Sequence, residues 1–160
     1  MNSKEKVLIH RAMDAVKRGR NAEALEALDR VLAANPGVAD AWNNRGVVLF
    51  NMDRADEALE CYDKAIELEP ENMEALRNKG FVLRAAGRFE EALETYDKVL
   101  SKNKDKDALD LESKATVLVG LGRLEEAAAC LREALGITRS DRLEEELGAI
   151  QGLIEARSGL

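Results

Sequence analysis

One internal repeat sets almost everything else about this chain. Ala24, Ala58 and Ala92 stand 34 residues apart, and Ala127 follows after 35. Their neighbours recur in phase: Arg20, Arg54, Arg88 and Arg123, then Glu23, Glu57, Glu91 and Glu126, then Leu28, Tyr62, Tyr96 and Leu131. A unit this short cannot close a core of its own and must stack on its neighbours. The period therefore predicts an array with a continuous core, not a globule with one centre. Such an array offers a long surface for binding and points away from catalysis.

Each period divides into two helices. Ala and Leu are strong helix formers, the 160 residues include only 2 prolines, and no stretch alternates as a strand would. In the second unit the first helix is predicted over about 38–52 and the second over about 55–68. Gly19, Asp53, Gly87 and Gly122 divide the helices of successive units, where a left-handed residue closes the first helix. Pro36 and Pro70 mark the ends of the first two second helices. Lys104 and Arg139 take that place later, so looser stops are expected there, and the 102–107 run carries the extra residue. Small residues at Ala12, Gly46, Gly80 and Ala115 allow close approach, as do Ala24, Ala58, Ala92 and Ala127. Leu8, Trp42, Leu76 and Leu111 fill the remaining space with Leu28, Tyr62, Tyr96 and Leu131.

This pattern resembles the tetratricopeptide repeat family. Trp42, Gly46, Leu49, Ala58, Tyr62, Ala65 and Pro70 fall at the family spacing in the second unit. Arg45 departs from it, since the family often has leucine there, and Arg11, Lys79 and Lys114 repeat the departure. Four repeats are placed at about 5–38, 39–72, 73–106 and 108–141. The resemblance implies an all-α, right-handed solenoid, expected here as a single domain over 1–160. The remainder, about 142–157, is expected to be a capping helix opened by a capping box of Asp141 and Glu144. Leu143, Leu147, Ile150 and Ile154 form its apolar stripe, and Glu145 stands where a further repeat would need a large apolar residue. Gly148 and Gly152 either permit close packing on the fourth repeat, the preferred reading, or mark a fraying end.

In the family the first helices of the repeats line a concave groove for an extended peptide or a partner's helix. Carried over by position, the groove residues are Lys6, His10 and Met13, then Asn43, Asn44, Val47, Phe50 and Asn51. The third repeat adds Glu74, Arg77, Asn78, Phe81 and Arg84, and the fourth Glu112, Ser113 and Thr116. Asn44 and Asn78 are in register; an amide both donates and accepts, so a row of them can hold a peptide backbone of any sequence. Phe50 and Phe81 are expected to face the groove. The groove positions are near charge balance on a chain of net charge −7, so the excess acid falls on the second helices and the cap. Family members that hold the EEVD tail of chaperones use a clamp of Lys, Asn, Asn, Lys and Arg. Those places here hold Ile9, Met13, Asn44, Glu74 and Asn78, without a cation, so such tails are not expected to bind.

Other functions find little support. Net acidity argues against nucleic-acid and anionic-membrane partners. The apolar triplet Val7-Leu8-Ile9 is too short for a signal or a span, so a cytoplasmic site is the expectation. Cys61 and Cys130 lie two repeats apart, beyond disulfide reach, and read as reduced packing residues. His10 is the lone histidine, and no phosphate loop, nucleophile motif or metal-ligand cluster is present, so no enzyme, cofactor or metal is expected. The reading is a protein- or peptide-binding adaptor, monomeric or weakly homo-oligomeric. A structural or self-associating, even idealised, repeat without a dedicated ligand is the alternative.

Overall fold

The computed structural model describes residues 2–103 and 107–159, and among these the chain is helical with no strand. The helices are α1 (Ser3–Lys17), α2 (Asn21–Ala34), α3 (Ala39–Phe50), α4 (Ala55–Leu68), α5 (Met73–Ala85), α6 (Phe89–Lys102), α7 (Ala108–Gly120), α8 (Leu124–Ile137) and α9 (Asp141–Ser158). They form two compact units, Met1–Val82 and Leu83–Leu160. The second helix of the second repeat has the predicted bounds, and the first is shorter at both ends. Lys104, with its expected loose stop, lies outside the described residues.

The turns follow from local chemistry. Gly19, Gly87 and Gly122 have φ of 73°, 72° and 71°, and Asp53 takes the same left-handed conformation at 59°. Each lets the next residue donate its amide back across the helix end. Arg20, Arg54, Arg88 and Arg123 reach the carbonyls of Ala15, Leu49, Leu83 and Leu118 at 2.9–3.0 Å. The same arginines turn their side chains onto the repeating glutamates. Arg54 grips Glu57 at 2.6 and 2.5 Å, and Arg123 grips Glu126 at 2.7 and 2.6 Å. These pairs hold both carboxyls below the usual carboxylate range.

In the first unit α1 packs on α2, α2 on α3, and α3 on α4. Ala12, Ala24, Leu28, Val31, Ala41 and Val48 form its buried centre. Gly46 is required by contact: a Cβ there would meet Tyr62 Cε1 at 2.6 Å. In the second unit α6 packs on α7, α7 on α8 and α8 on α9 around Leu111, Leu118, Leu131, Leu143 and Ile150. There Gly120, which the sequence reading passed over, lies under Phe89, whose Cε1 would stand 2.7 Å from an added Cβ.

The departure from leucine at Arg45 acquires a partner. Arg45 Nε donates to Asp29 at 2.8 Å, from α3 to the preceding α2. Lys79 reaches Asp63 at 2.5 Å and Lys114 reaches Asp97 at 2.6 Å, each again on the preceding helix. The cations are 23–26% exposed and the acids about half exposed, so each pair is worth about 0.2–1 kcal/mol. Their value is positional: the same handhold sets each helix against the one before.

The last helix caps as expected in outline, with two corrections. Its N-cap is Ser140, whose hydroxyl accepts from the Leu143 amide; Asp141 is already helical, so the Asp141–Glu144 capping box does not form. The helix therefore starts one residue earlier, and Glu144, not Glu145, takes the place of the large apolar residue. Leu143 and Ile150 are buried, with Leu147 and Ile154 packed beside them. Gly148 and Gly152 do not pack closely: an added Cβ on either meets nothing within 4 Å. Their stripe lies opposite the apolar one, so they face outward.

Candidate functional site

The residues proposed for the groove divide between the two units. In the first unit, α3 and α5 bring Phe50 and Phe81 edge to face, with ring centroids 5.7 Å apart. Phe81 is 45% exposed and Phe50 half-buried. Asn44 and Val47 are half-buried and Asn51 is exposed, so each leaves surface for a ligand. Arg77 and Met13 are half-buried. His10 stands fully out from α1, 3.4 Å from Asp14.

Asn43 goes elsewhere. It is 3% exposed, its Nδ2 donates to Glu74 at 3.1 Å, and its Oδ1 accepts from Asn78 Nδ2 at 2.9 Å. A buried amide with both ends engaged braces α3 against α5 and shows almost no surface to a ligand. Asn78 thus pairs with Asn43, not in a free row with Asn44. The sequence registered residues by repeat position and could not show that consecutive positions of adjacent repeats meet.

In the second unit the candidates are more occupied by one another. The Ser113 hydroxyl bonds the Tyr96 phenol, while burial raises the phenol's pKa and that bond lowers it. Thr116 Oγ1 donates to the Glu112 carbonyl at 3.0 Å. Glu112 is held by Arg142 of α9 at 2.5 and 2.7 Å, and Arg142 also touches Glu146 at 3.0 Å. Arg142, absent from the sequence reading, neutralises the Glu112 carboxylate; its only signal in the sequence was a cation in the first turn of the cap. Arg84 is half-buried. Between α7 and α9 an apolar hollow of about 370 Å³ is lined by Ala115, Thr116, Val119, Ile150 and Leu153.

Among the described residues no three His, Cys, Asp or Glu side chains could hold a metal ion together. The Cys61 thiol lies 3.1 Å from Arg45 Nη1, yet burial dominates and pushes its pKa up, as it does for Cys130. Neither is an activated nucleophile.

Profiles described as tetratricopeptide repeat match residues 7–30, 39–72 and 71–140. The chain belongs to the tetratricopeptide repeat family. Among solved structures, MamA 41-end from Desulfovibrio magneticus RS-1 is similar, with a TM-score of 0.86 and 21% identity over 97% of this chain and 88% of that one. A second MamA structure matches with a TM-score of 0.76 and 23% identity over 91% of this chain and 81% of that one. The first tetratricopeptide domain of Spaghetti (RPAP3), bound to the HSP90 peptide SRMEEVD, matches at a TM-score of 0.70 and 20% identity, over 76% of this chain and 99% of that one. At these identities the likeness shows the fold, an all-α solenoid. Among curated proteins none matches this chain.

Proposed function

We propose that this tetratricopeptide repeat chain is a non-enzymatic adaptor that holds a protein segment or extended peptide along the first-helix side of its repeats. The observation that supports this most is the Phe50–Phe81 pair: two aromatic rings left partly in solvent, with the partly exposed Asn44 on the same helix as Phe50 and the exposed Asn51 at its C-cap. An apolar side chain of a ligand gains by covering the rings, while the amides engage its backbone. The cytoplasm is the proposed location.

The repeat family supports protein or peptide binding in general, and the Spaghetti domain binds an HSP90 peptide. This chain lacks the clamp cations at Ile9, Glu74 and Asn78, so SRMEEVD itself is expected to show no saturable binding in a calorimetric titration.

The test is selection of peptides from a displayed library on the folded chain, followed by titration of variants. Phe81→Ala combined with Asn44→Ala should weaken a selected peptide at least about tenfold, as unpaired backbone groups and lost apolar cover cost about 1–3 kcal/mol. Glu60→Ala with Glu94→Ala, on α4 and α6, should change little. Loss in the second pair but not the first would put the site on the other face and end this reading.

A further inference from the structure

We propose that the outer face of α1 docks the outer face of α9 in a second copy of this chain. This interaction is independent of the peptide site.

Three times, a cation at the same place on a repeat's first helix meets an aspartate from the helix packed on that side: Arg45 with Asp29, Lys79 with Asp63, Lys114 with Asp97. Arg11 occupies the same place on α1, and among the described residues no acid faces it. Lys4, Val7, Arg11 and Arg18 make one outward stripe at helical spacing, with Val7 50% exposed. Beside it Ser3, Lys4, Val7 and Leu8 line a shallow apolar hollow of about 430 Å³. The molecule itself shows what this face accepts: another helix carrying a carboxylate.

Helix α9 carries such a face. Asp141, Glu145, Gly148, Gly152 and Glu155 form its outward stripe. The three acids have no ion-pair partner among the described residues, since the cap's short contacts belong to Arg142 with Glu112 and Glu146. The two bare glycines leave room at the centre for Val7. Residues 2–18 hold five cations and two acids, and residues 141–159 hold five acids and two cations. Lys4 to Arg18 is 14 steps along the chain, as is Asp141 to Glu155, about 21 Å at the helical rise in each case. An apolar centre with a rim of opposite charge on two equal lengths is the usual anatomy of a specific, modest interface. Because the two faces differ, the contact is head to tail.

Sedimentation of the purified chain tests this. In low salt the mass should rise with concentration up to about 1 mM, and fall back to the monomer near 1 M salt, where the screening length is only about 3 Å. Arg11→Glu with Arg18→Glu should abolish the rise, and so should Glu145→Lys with Glu155→Lys. All four side chains are exposed, and circular dichroism checks that the variants fold. Mixing the two charge-reversed variants should restore association, because each then presents the face that the other requires. A wild type that stays monomeric at the highest concentration overturns the proposal. So does association that the reversals leave unchanged, or a mixture that stays monomeric.

Discussion

Helices α3 and α9 begin alike and end in opposite circumstances. Counting from the first residue after each N-cap, Ala41 and Val48 correspond to Leu143 and Ile150, and all four are buried against the preceding helix. The other face diverges. Gly46 lies beneath the Tyr62 ring of α4, whereas Gly148, at the same place on α9, has open space above it. Around it, Glu144 and Gln151 are exposed where α3 has Trp42 and Leu49. One helix is therefore an interior unit with two covered faces, and the other is a lid with one. The difference shows that a cap needs only half of a repeat's pattern, and that the half retained is the one facing backwards.

Removing 142–160 should break the comparison most severely. Leu143 and Ile150 each contribute about 1.5–3 kcal/mol by burial, and their loss uncovers Ala128 and Leu131 of α8. The shortened chain should melt at lower temperature and aggregate. A truncated form that remains monomeric and equally stable would mean that α9 covers nothing of consequence.

The glycines sharpen the contrast next, because the same substitution should act with opposite signs. Gly46→Ala forces a methyl into the Tyr62 ring and should cost about 1–3 kcal/mol in denaturant unfolding. Gly148→Ala, with nothing to strike, should stabilise by up to about 1 kcal/mol through helix propensity alone. Equal effects in the two helices would erase the distinction drawn here.

Smallest are the handholds. Lys79→Gln and Lys114→Gln should each cost about 0.2–1 kcal/mol, with the loss shrinking at high salt. A double-mutant cycle with Asp63→Asn or Asp97→Asn isolates the pair. No coupling in either cycle would show that these contacts are only neighbours.

Features governed by a residue's own backbone were legible in the sequence. Asp53 was grouped with three glycines by position alone, and all four adopt the same positive φ. The Gly46 approach was legible too, since small and large residues alternated in phase. The contact of Phe89 with Gly120 was not singled out, because it breaks the phase twice. Phe89 stands where other repeats have Asn21, Ala55 and Leu124, and Gly120 where they have Asn51 and Ala85. That exchange of size at two positions was the available signal. The site was less legible than the fold. Whether an amide is spent on a neighbour, as Asn43 is, depends on side-chain geometry between repeats, which periodicity does not carry. Arg142 was hidden for the same reason: its partner, Glu112, lies 30 residues away on another helix.

The handholds also bear on how such a chain can grow. A copied stretch of 39–72 would enter with Arg45 facing the original Asp63, and its own Asp63 would face Lys79. The inserted unit would find matching charges at both seams. A copied stretch of 108–141 would not, because its Lys114 would face Arg132, which stands where the earlier repeats have aspartate. Lengthening by duplication is thus electrostatically permitted from the middle of the array and opposed beside the lid, so the sequence carries its own rule for where it can be extended.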